Sequence, residues 1–143
     1  MNKQKNTFTI KHSLFSWIAM TVLFMGVVCI AATTDTIAAI NDSIAKGDMQ
    51  QLSKYMSPNV EMNILGNSSV YSKTQAVSVL SNFFATYPVK NYNVKQGGSM
   101  SENTKFSIGT YISKHNDDSF KIYYVVKRNG TEETITKFTI EKR

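Results

Sequence analysis

At 143 residues the chain has room for one domain and one modest core, which excludes a multidomain layout. Its formal charge of +6 overstates its basicity, because Lys3, Lys5 and Lys11 stand in an N-terminal stretch without an acid; beyond them thirteen basic residues meet ten acidic ones, a balance of +3. The remaining lysines are spread along the chain, the pattern of a solvated surface and not of a nucleic-acid site.

Leu14 to Ile30, LFSWIAMTVLFMGVVCI, runs without a charge and is followed by Ala31 and Ala32. A basic region, an apolar region and a small-residue exit predict a secretory signal over residues 1–32, cleaved near Ala31 or Ala32. Seventeen apolar residues also approach a bilayer span, so an uncleaved anchor is the alternative, and only that alternative implies a membrane contact. In both cases the lysines stay inside and residues 33–143 are exported, to the periplasm or cell envelope. Cys29 is the only cysteine, and Val28 before it disfavours a lipoprotein signal, which wants a small residue there. If Cys29 leaves with the signal, the exported domain has no disulfide, no thiolate nucleophile and no thiolate metal ligand.

The exported domain opens with TTDTIAAINDSIAK, a helix capped by Thr34 or Asp35, with Ile37, Ile40 and Ile44 on one face and Gly47 as its stop. Asp48, with Gln51 three residues on, starts a second short helix by a capping box; Leu52, Tyr55 and Met56 form its apolar face and Pro58 ends it. NVEMNIL (59–65) alternates as a strand, and GNSS reads as a turn. Ser72 and Gln75 then box the start of the longest helix, whose stripe is Ala76, Leu80, Phe83, Phe84 and Tyr87, with Pro88 as terminator. After Pro88 come four strand-like runs, NYNVKQGGSM, TKFSIGTYIS, SFKIYYVVKR and TEETITKFTIEK. Helices and strands segregated in this order predict an α+β domain and not a parallel α/β sheet.

A three-residue loop, Arg128-Asn129-Gly130, with a bulge at a left-handed Gly130, pairs Phe120 with Phe138, Ile122 with Thr136 and Tyr124 with Thr134. The inner face then holds Phe106, Ile108, Ile112, Phe120, Ile122, Tyr124, Val126, Phe138 and Ile140. The outer face holds Tyr111, Tyr123, Val125 and Ile135 rimmed by Lys121 and Lys137, with Gly109 across from Tyr123. Aromatics ringed by charge are what interface centres look like, so those four residues are the expected interface, most simply with a second copy of the chain.

This layout of helix, broken helix, strand, long helix and bent antiparallel sheet resembles the nuclear transport factor 2-like fold over the whole exported domain. AINDSIAKGDMQQLSKYM, YSKTQAVSVLSNFF and FSIGTY with the closing hairpin resemble a family of small exported Bacteroidetes proteins, domain of unknown function 4783. The resemblance implies a cone of N-terminal helices on a strongly bent sheet. It also implies a mouth that often holds a small apolar ligand, dimerisation through the outer sheet face in many relatives, and no particular activity. Enzymes of this fold place an Asp, or a His with an Asp, inside the cone.

No such group is predicted inward here. Tyr124 is the only polar tip on the inner strands, His115 sits in a turn-like HNDD loop that lacks the ligand set of a metal site, and Glu132 and Glu133 point to opposite faces of a strand. QGGS (96–99) has no helix behind it to hold a phosphate and reads as a bulge or strand bend. No catalytic residue, metal or cofactor is therefore expected. A ligand pocket, if formed, would be rimmed by Tyr55, Tyr71, Phe83, Phe84, Tyr87 and Tyr124. The sequence thus predicts a binding or interaction domain. An enzyme with a displaced active group and a structural accessory without a pocket remain as alternatives, the last favoured by the bulk of the inner side chains.

Overall fold

A computed structural model describes residues 35–143; the expected signal segment, Cys29 and Thr34 lie outside them. Helix α1 (Thr36–Lys46) begins where the Asp35 carboxylate accepts from the Ile37 N–H at 3.2 Å. It ends at Gly47, whose φ of 66° lets the N–H of Gly47 and that of Asp48 turn back onto the Ile44 and Ser43 carbonyls. Helix α2 (Met49–Lys54) is capped by Asp48, which accepts from the Gln51 N–H at 3.0 Å. The Gln51 side chain accepts from Lys54 instead of returning to the cap, so half of the expected box forms. The α2 helix stops before Pro58, which falls inside strand β1 (Met56–Ile64). Proline fits there because the register of this strand breaks between Met56 and Glu61.

GNSS is not wholly a turn. Leu65 and Gly66, both at positive φ, make a two-residue hairpin loop, and Asn67–Ser72 pairs back on β1 as strand β2. Ser72 then caps α3 (Lys73–Thr86) with the full reciprocal box to Gln75. Strands β3 (Val89–Ser101), β4 (Thr104–Ser113), β5 (Ser119–Asn129) and β6 (Glu132–Lys142) follow where the sequence puts them. The sheet order is β2-β1-β6-β5-β4-β3, antiparallel throughout except for the β1–β6 pair. Among the described residues no helix is long and apolar enough to cross a membrane.

The three helices cover one face. Ile40, Ile44, Leu52, Ala76, Leu80, Phe83 and Phe84 pack with Phe120, Ile122, Tyr124, Val126, Phe138 and Ile140 in one core. Each buried Leu, Ile, Val or Phe among them contributes about 1.5–3 kcal/mol by leaving water.

The final hairpin differs from expectation. Its loop is Gly130-Thr131, closed by Asn129 and Glu132, and the bulge lies at Thr136. Beyond the bulge Phe120 pairs with Lys142 and Tyr124 with Phe138, a slip of four residues that keeps β5 facing as predicted. The bulge turns Ile135 inward, where it is fully buried, so Ile135 belongs to the core and not to the outer face.

Strand β4 is inverted relative to expectation. Ser107, Gly109, Tyr111 and Ser113 face the helices, and Phe106, Ile108 and Ile112 face away. The physical reason is space. A Cβ on Gly109 would lie 2.5 Å from the ring of Tyr92, which reaches over from β3, so this part of the inner face accepts only small residues. Gly109 therefore sits across from Ile122, with Tyr92 above it, and not across from Tyr123. Tyr111 is buried in the core for the same reason and is not an outer-face residue.

Glu133, on the inward side of β6 near the α1 N-terminus, ties the ends of three strands and a helix together. It pairs with Arg128 at 2.5 Å and Lys105 at 3.2 Å. A hydrogen bond from Thr36, then the one from Arg128, holds its carboxyl down at about 2, against an ordinary 4.5. The expectation that no carboxylate faces inward is corrected at this position.

Two outcomes follow from these contacts. Gly109→Ala should lower the unfolding free energy by about 1–3 kcal/mol, read from the urea midpoint, because the Tyr92 ring must be displaced. The Glu133 contribution is present above about pH 4.5, where the unfolded carboxyl is also ionised, and is lost as pH falls toward about 2. Between those limits the wild type should therefore lose more stability than Glu133→Gln in denaturant titrations run at each pH.

Candidate functional site

Between α1 and the sheet lies a cluster of hydroxyls. Asn41 follows Ile37 by one helical turn, on the face that α1 turns to β3, β4 and β5. Its side-chain oxygen accepts from the Tyr124 hydroxyl at 2.8 Å, and from the Tyr92 and Ser107 hydroxyls at 3.3 Å each. The Ile37 carbonyl lies 3.2 Å from the Tyr124 hydroxyl. Tyr124 and Ser107 are fully buried. Burial pushes the Tyr92 phenol up to about 12 and raises that of Tyr124, the bond to Ser107 opposing the rise in both. All three hydroxyls stay protonated near neutrality, so the cluster donates hydrogen bonds and does not supply a base.

The residues expected to rim a pocket separate into groups. Phe83, Phe84 and Tyr87 come together at the end of α3 with Tyr111 and Phe120, ring centroids 4.8–5.8 Å apart in the closest pairs. The Tyr111 hydroxyl donates to the Tyr87 carbonyl, which fixes the chain as it leaves α3. Tyr124 stands apart from that group, in the hydroxyl cluster and stacked on Phe138. Tyr55 lies at the C-terminus of α2, where its carbonyl receives the Ile135 N–H, and Tyr71 sits on β2 opposite Val60. Sequence reasoning missed Asn41, Tyr92, Ser107 and Glu133. The signal for Asn41 was present, a polar residue four positions after Ile37 within the apolar stripe. His115 lies in the β4–β5 loop, where Asn116 and Asp117 take left-handed backbone, and no group of metal-ligating side chains occurs among the described residues.

The outer face of the sheet is the second candidate. Strand register sets Phe106 beside Val125, Ile108 beside Tyr123, and Ile112 beside Ser119. The Phe106 and Tyr123 rings are 6.4 Å apart, and Gly98 leaves room next to Phe106. Two ion pairs flank these residues, Lys137 with Glu61 at 2.7 Å and Lys121 with Glu141 at 3.0 Å. All three described helices pack on the opposite face, so among the described residues no helix covers this surface. Tyr123 and Val125 lie on it as expected; Phe106, Ile108 and Ile112 join them in place of Tyr111 and Ile135.

Helices on one face of a six-stranded, mostly antiparallel sheet with this topology define a domain of the nuclear transport factor 2-like class. The chain superposes on an NTF2-like family protein from Streptomyces avermitilis with a TM-score of 0.54 at 13% identity, over 75% of this chain and 90% of that one. Within that class the chain belongs to the family Domain of unknown function (DUF4783), whose model matches residues 37–141. It is similar to a DUF4783 family protein from Bacteroides ovatus at 27% identity and TM-score 0.69, over 74% of this chain and 94% of that one. It is also similar to one from Bacteroides uniformis at 21% identity and TM-score 0.71, over 76% and 98% of the two chains. Among curated proteins none matches.

Removing the shared acceptor should be costly. Asn41→Ala leaves buried hydroxyls without their partner and should lower the unfolding free energy by about 1–3 kcal/mol in urea denaturation, with the far-ultraviolet circular dichroism spectrum unchanged.

Proposed function

We propose that the chain is an exported, non-catalytic interaction domain that docks through the outer face of its sheet, a second copy being the simplest partner. The observation that carries this is the orientation of β4. Phe106, Ile108 and Ile112 join Tyr123 and Val125 on the face away from the helices, with lysine–glutamate pairs beside them. An apolar centre of half-buried side chains with a charged rim has the make-up of a docking surface. Export to the periplasm or envelope rests on residues 1–32 and forms part of the same proposal.

A small apolar ligand between α3 and the sheet is the lesser part of the reading. The rings of Phe83, Tyr87, Tyr111 and Phe120 already pack on one another, so a ligand there has to displace them. The inward carboxylate open to the enzymatic alternative is Glu133, and hydrogen bonds from Thr36 and then Arg128 hold it at about 2, which leaves it poorly suited to take a proton.

Tyr123→Ala tests the docking face. Self-association, followed by sedimentation equilibrium, should weaken about tenfold or more, as for loss of an interface aromatic, while the thermal midpoint stays within a few degrees of wild type. Unchanged association would sink the proposal, and unfolding of the variant would show that Tyr123 serves the core.

A further inference from the structure

The two edges of the sheet are guarded differently. The β3 edge carries Lys90 and Lys95, and its register breaks between Val89 and Asn91, between Val94 and Gln96 and between Ser99 and Ser101. Lysines and bulges on an edge strand are devices that keep a further strand from adding. The β2 edge has neither. Asn67–Ser72 reads NSSVYS, without charge or proline, and pairs with β1 over six residues without a break. Val70 stands near its middle, 67% exposed, more than any other large apolar side chain among the described residues.

We propose that the free edge of β2 pairs antiparallel with β2 of a second copy about a twofold axis, joining two six-stranded sheets into one. Backbone parity supports the register. The Leu65-Gly66 loop has two residues, so Ile64 and Asn67 form the closing hydrogen-bonded pair. Asn67, Ser69 and Tyr71 then direct their backbone groups to β1, and Ser68 and Val70 direct theirs to the free edge, while the Ser72 N–H is held by the Gln75 side chain. A self-pair centred on Val70 sets Val70 against the partner's Val70 and Ser68 against the partner's Ser72, with up to about four new backbone hydrogen bonds, since the Ser72 N–H stays with Gln75. Valine across from valine is a favourable β-branched pair.

A second copy is the occupant because of charge. In a twofold strand pair each residue meets its own strand, so a charged residue near the axis would face its like. β2 has none, and the nearest charge in the same row, Glu61, is already neutralised by Lys137. The same pairing on β3 would bring lysines of the two copies, Lys90 and Lys95, close to one another. This contact is independent of the outer-face reading: Val70 is on β2, and Tyr123 is on β5, three strands away in the sheet order.

The test uses the full chain. Val70→Lys, which places two lysines opposite each other at a site already exposed, should raise the dimer dissociation constant at least tenfold in sedimentation equilibrium. Val70→Thr, which keeps the β-branch, should leave it near wild type. In hydrogen exchange the amides of Ser68 and residue 70 should be protected in the wild-type dimer and exchange freely in Val70→Lys. A wild-type monomer at tens of micromolar overturns the proposal. So does a dimer that Tyr123→Ala abolishes and Val70→Lys leaves intact, or free exchange at those two amides in the dimer.

Discussion

The Tyr92 ring occupies the space in which a side chain on Gly109 would stand, and the orientation of the sheet's apolar surface depends on that contact. With Tyr92 above it, the inward side of β4 admits Ser107 and Gly109 at the place where α1 comes down on the sheet. The alternate residues of β4, Phe106, Ile108 and Ile112, are thereby committed to the other face. Reversing the strand by one residue would drive Phe106 and Ile108 into α1 and strip the Asn41 oxygen of its Ser107 partner. One close approach of ring to backbone thus positions the hydroxyl cluster inside and the apolar row outside.

The same geometry divides polar and apolar groups between the two faces of the sheet. On the inner face polar groups are matched: Asn41 serves three hydroxyls, the Tyr111 hydroxyl meets the Tyr87 carbonyl, and Glu133 holds Arg128, Lys105 and Thr36. These arrangements fix the helices on the sheet, with the tyrosine hydroxyls protonated and Glu133 ionised near neutrality. On the outer face the large side chains contact one another and their sheet neighbours, with no helix above them among the described residues. The proposed docking role rests on this division, with inner polar groups used in the protein's own packing and apolar side chains on the outer face.

Much of the fold was legible because its signals are local. Asp35, Gly47, Asp48 and the Ser72–Gln75 box mark helix ends by chemistry that acts within four residues. Strand β2 was not legible: NSSVYS lacks alternation, and its pairing comes from the tight Leu65-Gly66 turn and from β1 beside it. Periodicity showed that Phe106, Ile108 and Ile112 share a face, but it carries no information on which face the helices cover; Tyr92, over a dozen residues away, decides that. Ile135 was misplaced because a bulge at Thr136 shifts parity without any local mark in the sequence. For the candidate sites, Tyr123 and Val125 were readable from the double-sided pattern of β5. The Asn41 cluster joins residues from four elements and emerges only when they meet.

Hydroxyl-radical footprinting, read peptide by peptide in the mass spectrometer, tests the central claim most directly. The protein would be labelled within its native envelope fraction and again after purification and dilution. If the outer face is a docking surface, Phe106 and Tyr123 are oxidised slowly in the first sample and faster in the second, while the exposed Met100 reacts alike in both. Equal oxidation of Phe106 and Tyr123 in the two samples would mean that nothing covers that face, and would contradict the account.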